Sequence, residues 1–468
     1  MRVPAPVMIR GLERLCPAPG LGHFETAAKG ACILTRPLRP DRRWPMLQFP
    51  NVTRPDMPTW TLPLVYTVAS IIAAFALPRI ERALFPTLDI GLSESSAVAV
   101  LSAAASGMMG LTAIVFSVAF VLVQFSAVAY SPRIALRFAR DSMTFHALGV
   151  FFATFTYALA TIAWTDRAGS HVVPVISWFV AVGLVFTSLV FFSLLVRRLS
   201  DLRITSILRD IGDSGRNVIE LVVATHRAVP PRSAHPAAPV VQVLRYEGAP
   251  RYVERLDIER MIELARRADA VIVMVAAVGD TVADGSTMLR QHGGAPIAPD
   301  ALRAAVTLGL DRTYEQDPKY PIRLLVDIAI KALSPAINDP TTAVQALDQI
   351  EDLLRRLSRF ELDQGAEADA EGALRLVYPM PSWEDYLSLS FDEIRIFGAT
   401  SVQVLRRMRA ALAGIEEVLG DDPRVAGVRA YRAHMDEMIR HSGFDELDQR
   451  CAVQRDPQGL GLTRAEEG

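Results

Sequence analysis

Polar side chains are unusually dense between residues 312 and 342 of this 468-residue chain. They comprise acids, bases, an amide and two hydroxyls: Arg312, Glu315, Asp317, Arg323, Asp327, Lys331, Asn338, Asp339, Thr341 and Thr342. A helix beginning after Asp339 would present free amides and hydroxyls to an anion, and Arg312 or Arg323 would complete the pocket. Asp339 competes for the same amides, and the carboxylate and amide oxygens nearby could bind a cation instead. The stretch is therefore a candidate ligand or interface site.

The same stretch also fits a structural role as the joint between two helices. Its apolar period predicts a helix at 322–333. Three charged residues lie at intervals of four on one face of that helix, where they would form ion pairs: Arg323, Asp327 and Lys331. Asp339 is a preferred N-cap for the next helix, and Pro340 is preferred at its first position. These residues alone do not decide between a joint and a binding site.

No arrangement of residues predicts an enzyme. The eight histidines are scattered, the three cysteines (Cys16, Cys32 and Cys451) are far apart, and no HExxH pair occurs. The sequence also lacks the glycine-rich loops of nucleotide-binding enzymes and the GxSxG elbow of hydrolases. We therefore expect no catalytic residues, no metal site and no cofactor.

The composition indicates that lipid is the solvent for part of the chain. Apolar residues make up 51% and charged residues 21% of the sequence, and the mean hydropathy is +0.24. The 49 basic and 51 acidic residues nearly cancel, so no excess of positive charge favours binding to nucleic acid. Four segments contain no charged residue, and each holds a stretch long enough to cross about 30 Å of hydrocarbon: 57–78, 95–132, 142–165 and 168–196.

We predict an α-helical bundle of four membrane spans within a membrane domain at residues 57–200. The spans are placed at 60–77, 97–123, 146–164 and 172–196, with Pro78 expected to close the first. The preceding tail, residues 1–56, is rich in proline and arginine and shows no regular period. We expect that tail to be disordered, and Met46 or Met57 to be an alternative start.

Arginines flanking the spans predict their orientation. Ten lie on the side that carries both termini: Arg42, Arg43, Arg54, Arg133, Arg137, Arg140, Arg197, Arg198, Arg203 and Arg209. Three lie on the other side: Arg79, Arg82 and Arg167. Because positive charge is retained in the cytoplasm, both termini are expected there, in a multi-pass protein of the bacterial inner membrane.

The second span differs from the others in its small side chains. If 97–130 is one helix, it exceeds the thickness of the bilayer core by several turns. The residues that could line a pore or pack closely against another helix are Ser106, Gly107, Gly110, Ser117 and Gln124. Ser106 and Gly110 have the four-residue spacing that lets two membrane helices approach closely. A pore-lining helix of a homo-oligomer and a packed helix within one bundle both remain open.

The second half of the chain predicts a cytoplasmic α+β domain with a helical C-terminal part. We expect a connecting helix at 201–229, strands at 240–244, 252–256 and 271–278, and a helix at 258–267 capped by Asp257. Residues 278–289 resemble the first hairpin of the biotinyl and lipoyl sandwiched barrels, but the later lysine those carriers need is missing.

The domain boundaries follow from the same pattern. Residues 201–300 form the connecting helix and a small β/α domain, 301–447 a helical domain, and 448–468 a loose tail. Within the helical domain we expect a helix at 301–310, a helix running from 340 past 357, an acidic linker at 361–373, and two or three further helices.

Several motifs resemble one known family. SPRIALRFARD follows the second span, YEQD precedes the helix at 322–333, and VDIAIKALSPAINDPTTAVQALD covers the helix joint. In this order they are similar to a bacterial family of predicted membrane proteins, catalogued as domain of unknown function twenty-two fifty-four. The resemblance covers about residues 60–445. It implies an integral inner-membrane protein and supplies no reaction.

Two functions remain as hypotheses. In the first, the protein is an oligomeric channel or transporter whose second span lines the path and whose cytoplasmic domain regulates it, by analogy with small-conductance mechanosensitive channels. In the second, it is a membrane-anchored sensor or scaffold that binds a ligand or partner through residues 312–342. Both place the chain in a lipid bilayer, and neither involves nucleic acid.

Overall fold

Most of the chain after residue 60 is described by a computed structural model. The described residues are 61–85, 93–129, 142–167, 174–200, 203–223, 236–360, 362 and 364–461. The tail at 1–56 and the arginines at 133–140 lie outside them.

Four long apolar helices confirm the predicted spans. They are α1 (Thr61–Leu84), α2 (Glu94–Ala129), α3 (Ser142–Arg167) and α4 (Val175–Ser200). The second is one continuous helix, as its length suggested. The expected end of the first span at Pro78 is wrong, because α1 continues for another six residues. In that extension the Glu81 carboxylate accepts the Ile176 amide at 3.0 Å and the Ser177 amide at 3.4 Å, so that it caps the start of α4.

Helix α3 is the centre of the bundle and packs against the other three spans. Gly149 permits the closest approach, since a Cβ there would lie 2.6 Å from the Tyr66 ring of α1. Hydroxyl pairs also join the helices: Ser70 of α1 lies 2.6 Å from Thr156 of α3, and Thr154 of α3 lies 2.9 Å from Ser188 of α4. Contacts of this kind hold helices together in lipid, where the hydrophobic effect between helices is absent.

The connecting helix is α5 (Ile204–Val218), which continues as one π-helical segment, Ile219–Val223. It agrees with the prediction over these residues, and the remainder of 201–229 lies outside the described part. Its buried face packs on the helical domain, where Gly215 allows close contact with Leu353.

Within the part of the chain that the structure describes, eight short strands build two sheets. They are β1 (Val240–Arg245), β2 (Arg251–Leu256), β3 (Val271–Met274), β4 (Thr281–Val282), β5 (Thr287–His292), β6 (Val306–Gly309), β7 (Gln364–Ala368) and β8 (Leu374–Pro379). The larger sheet has the order β1-β5-β3-β8-β7 and the smaller β4-β2-β6. Pairing is antiparallel except between β3 and β8. Helices α6 (Ile258–Ala268) and α7 (Pro299–Arg303) connect the strands, and Asp257 caps α6 as predicted.

Three expectations for this region are corrected. The strands flanking the turn at Asp284 and Gly285 do not pair with each other, because β4 joins β2 while β5 joins β1 and β3. The helix expected at 301–310 is only α7 followed by β6, whose Val306 and Leu308 pair with β2. The linker expected at 361–373 contains β7, a strand held by the buried apolar run of β8. Both sheets therefore cross the boundary expected at residue 300.

The C-terminal part is helical. It consists of α8 (Lys319–Ala332), α9 (Pro340–Leu357), α10 (Trp383–Phe397), α11 (Val402–Leu419), α12 (Val425–Arg440) and α13 (Glu446–Ala452). Helix α9 ends at Leu357 instead of running beyond it. The tail expected to be loose from residue 448 is packed up to residue 461: Asp456 is buried and accepts the amides of Gln458, Gly459 and Gly461.

Candidate functional site

One face of α2 is buried by packing against other helices of the chain. Leu101, Ala105, Met108 and Val115 recur at helical spacing and are buried against the other spans. The sequence did not distinguish this face from the rest of the helix, because almost every residue of α2 is apolar or small.

The five residues predicted to line a pore or pack a helix lie away from that buried face. Ser106, Gly107, Gly110, Ser117 and Gln124 are all exposed. A Cβ built on Gly107 or Gly110 meets no atom within 4 Å, so no described residue of the chain packs against these positions. We call the surface on which these residues lie the small face. Along it a small or polar residue recurs every seven positions: Ser96, Ala103, Gly110, Ser117 and Gln124. Seven residues make about two turns, so the small face runs nearly straight along the helix.

A third face of α2 carries large apolar side chains. Met109, Phe116 and Phe120 are 59%, 52% and 71% exposed. Such side chains suit contact with lipid tails, whereas the neighbouring small face offers hydroxyls, an amide and bare backbone. The division by side-chain size is incomplete, because Ile114 and Val121, which follow Gly107 by seven and fourteen residues, are also exposed.

The residues of the 312–342 stretch do not converge on one site. At its start, the Arg312 guanidinium lies over the Tyr252 ring at 5.6 Å, and Glu315 is exposed. Gln316 forms a pair of hydrogen bonds with the backbone of Leu256, accepting its amide at 2.9 Å and donating to its carbonyl at 3.1 Å. This end of the stretch attaches the smaller sheet to the helical domain.

Asp317 is the most deeply buried acid of the stretch, at 2% exposed. Its Oδ1 accepts the Lys319 amide at 3.1 Å, while its Oδ2 has no hydrogen-bond partner among the described residues. Gly279 accommodates that oxygen, because a Cβ there would lie 2.2 Å from it and its φ of +87° disfavours other residues. Burial raises the pKa of Asp317, against the opposing charges of Lys319 and Arg312.

Arg323 forms the strongest ion pair of the stretch. Its guanidinium binds both oxygens of Glu393 on α10, at 2.8 and 2.7 Å, and Asp327 on its own helix at 2.5 Å. Glu393, and after it Asp327, raises the pKa of Arg323, and Arg323 lowers the pKa of Glu393. The side chains predicted to pair along α8 therefore also join α8 to α10.

The end of the stretch is the helix cap that the sequence predicted. Asp339 accepts the Thr342 amide at 3.1 Å and the Thr342 hydroxyl at 2.6 Å. Asn338 has a left-handed φ of +50°, which turns the chain between α8 and α9. Lys331 is half-buried and Thr341 exposed. Asp339 already accepts the amide at the start of α9. Its carboxylate therefore occupies the place that a bound anion would take.

Two further acids have roles that the sequence reading missed. Glu393 lies 70 positions from Arg323, and no local pattern connects them. Glu81 had a usable signal, because an acid so close to an apolar span is costly unless it is paired. The described part of the chain contains no group of three or more His, Cys, Asp or Glu side chains that could hold a metal ion.

These features define a multi-pass membrane protein: four apolar helices long enough to cross a bilayer are followed by an α+β domain. The chain belongs to the family described as "Predicted membrane protein (DUF2254)", whose model matches residues 57–414. The resemblance noted from its motifs is thereby confirmed. Uncharacterized proteins of Mycobacterium tuberculosis and Mycobacterium bovis are 28% identical over 373 residues, covering 76% of this chain and 70% of theirs. No solved structure matches the chain.

Proposed function

We propose that the protein is a homo-oligomeric channel or transporter in which α2 lines the path. The observation that carries the proposal is the small face of α2, which is exposed along the helix and has no described neighbour within 4 Å of a Cβ at Gly107 or Gly110. A single bundle of four helices does not use this face, which makes it the surface available to a second copy or to water.

The chemistry of the small face supports both uses. Small residues at helical spacing let membrane helices approach closely, and a seven-residue repeat keeps one face toward its neighbours over several turns. Hydroxyl and amide groups are costly against lipid tails unless another helix or water satisfies them. Copies arranged around Gly110 and Ser117 would meet both conditions, with the large residues Phe116 and Phe120 directed toward lipid.

The remaining assignments follow from this proposal and from charge. The arginines flanking the spans support an inner-membrane protein with both termini and the α+β domain in the cytoplasm. The domain would then stand at the cytoplasmic mouth of the path, where it could regulate passage. The proposal assigns no chemical reaction, no cofactor and no nucleic acid to the chain.

Single-cysteine labelling tests which face of α2 meets water. The native cysteines are replaced, and a membrane-impermeant thiol reagent is applied to the variants Ser106→Cys, Gly110→Cys and Ser117→Cys in membranes. We expect these positions to react. The matched controls Phe116→Cys and Phe120→Cys are also exposed but lie on the apolar face, and we expect them to stay unmodified.

Reconstitution tests transport itself. Purified protein in liposomes should pass ions or small solutes, and a thiol reagent should block the flux through Ser117→Cys but not through Phe120→Cys. Equal labelling of the two faces, or the absence of flux across voltage and membrane tension, would contradict the proposal.

A further inference from the structure

A polar cleft lies in the helical domain, far along the sequence from the membrane spans. Its volume is about 540 Å³, within the range of small-molecule sites. Helices α9, α11 and α12 form its walls, together with the segment that follows α13. Four arginines line it: Arg355, Arg407, Arg432 and Arg455.

The four arginines of the cleft outnumber its acidic side chains by one, because Glu351, Glu416 and Glu417 line it as well. Arg407 and Arg355 both bind Glu351, at 2.6 and 3.1 Å. Glu416 is likewise shared, between Arg432 and an arginine outside the cleft. Arg455 is exposed and has no ion-pair partner among the described residues. An anion entering the cleft would therefore meet the guanidinium of Arg455, which has no carboxylate partner in the described part of the chain, beside three guanidinium groups that are paired.

One of these arginines is held deep in the wall. Arg407 is 4% exposed, with Nε bound to Asp348 at 2.7 Å and Nη2 bound to Glu351. Its Nη1 has no hydrogen-bond partner in the described part of the chain. Arg409, which pairs with Asp436, lies nearby: burial, and after it the charges of Arg432 and Arg455, lowers its pKa. Buried donors of this kind are rarely left without a partner.

We propose that this cleft binds a phosphate monoester of nucleotide size. Guanidinium groups match the oxygens of a phosphate in pairs, and a dianion suits several of them at once. The cleft is much larger than an inorganic phosphate needs. Its remaining lining fits an organic portion, with Ala410, Ala413 and Pro457 as apolar contacts and the exposed Glu417 as an acceptor for hydroxyl or amino groups.

The inference is independent of the channel proposal. It concerns residues of the soluble domain alone, and it would stand if the membrane part conducted nothing. The family model ends at residue 414, so Arg432 and Arg455 lie beyond it. Two of the four arginines proposed to bind the ligand therefore lie in the part of the chain that follows the family model.

Binding to the full-length protein in detergent tests the inference. The probes are AMP, adenosine and inorganic phosphate at fixed ionic strength, measured by calorimetry and by the shift of the unfolding temperature. We expect saturable AMP binding in the micromolar range, about tenfold or more weaker binding of phosphate, and none of adenosine. In Arg455→Gln and Arg432→Gln, the Kd for AMP should rise about tenfold each.

The control is Arg450→Gln, which removes the same charge from α13 at an exposed position outside the cleft. It should bind AMP like the natural protein. An unchanged unfolding temperature without ligand shows that each variant is folded. Failure to bind AMP, equal binding of AMP and phosphate, or equal weakening by Arg450→Gln and Arg455→Gln would overturn the proposal.

Discussion

The small face of α2 and the 312–342 stretch are both rich in polar residues, yet the folded chain treats them in opposite ways. In the stretch, nearly every carboxylate has a partner close by: Arg323 binds Glu393 and Asp327, and Asp339 binds the start of α9. On α2, no described residue approaches Gly107 or Gly110. The polar groups of the 312–342 stretch stabilise the fold, whereas those of the small face of α2 are available to a partner outside the chain.

The difference shows why polar density alone is a poor guide to function. Charged residues at helix joints are dense because helix ends and half-buried ion pairs need them. Small residues on a membrane helix are not needed to satisfy helix ends or ion pairs. An exposed face of small residues in lipid therefore has no structural role within a single chain. The sensor hypothesis relied on the stretch, where Arg323, Asp327 and Asp339 form structural contacts while Glu315 and Thr341 stay exposed. The comparison therefore favours α2 as the site of function.

The largest effect is expected from filling the small face of α2. Gly110→Leu should abolish flux and dissociate the oligomer, because a large side chain prevents close approach and blocks the path. Gly183→Leu on α4 is the matched control: that glycine is also exposed and without a neighbour within 4 Å, but it lies on a different span. Flux in liposomes and the oligomer mass in detergent are the measurements.

Comparing the two glycine variants also shows whether the effect is specific to α2 or arises wherever a large residue replaces an exposed glycine in a membrane span. Both should remain folded, since neither position packs against the rest of the chain. If Gly110→Leu and Gly183→Leu retained the same oligomer and the same flux, the two faces would be equivalent and the contrast between α2 and the joint would fail.

The next effect is expected at the joint. Arg323→Ala leaves Glu393 and Asp327 without their cation and should lower the free energy of unfolding by about 2 kcal/mol. This lies between the values for exposed and buried pairs, because the Glu393 side chain is 43% exposed. Lys331→Ala, on the same helix, should cost much less. Denaturation in detergent measures both, and flux in Arg323→Ala should be retained in the folded fraction.

A smaller loss is expected from the helix cap. Asp339→Ala removes the acceptor for the Thr342 amide and hydroxyl and should cost about 1 kcal/mol. Thr341→Ala, at the exposed neighbouring position, should be nearly neutral. A cost for Thr341→Ala as large as that for Asp339→Ala would mean that the start of α9 binds something beyond its own cap.

Features that depend on local chemistry were predictable from the sequence. The four spans follow from the need of a backbone in lipid to close its own hydrogen bonds over about 20 apolar residues. The caps at Asp257 and Asp339 follow from the preference of a carboxylate for free amides three positions on. The family motifs belong to the same category, because they are contiguous in sequence.

Features that depend on distant partners were not predictable. Strand β7 has the sequence QGAEA, which shows no apolar alternation, and it exists because β8 pairs with it. The local sequence of Val306–Gly309 predicts a helix, because its pairing with β2 leaves no local signal. The division of α2 into faces belongs here too: nothing in an all-apolar helix indicates which side its own bundle will cover.

The smallest effect is expected from Asp317, and it depends on pH. Its pKa is raised above the ordinary 3.8 by burial, so the folded protein holds this proton at pH values where the unfolded chain has lost it. Stability from this group is then present at low pH and is lost as pH rises through the raised pKa. Above the raised pKa the buried charge opposes folding, with Lys319 and Arg312 compensating in part.

Asp317→Asn should accordingly stabilise the protein at neutral pH, by less than the Asp339→Ala loss, because the amide keeps the Lys319 contact without the charge. The gain should shrink as the pH falls toward 3.8, which unfolding curves in detergent at several pH values would show. Asp421→Asn, at an exposed position, should be neutral throughout. A loss of stability in Asp317→Asn at neutral pH would mean that the charge is needed, so that this end of the stretch holds a cation or a partner and is not a joint alone.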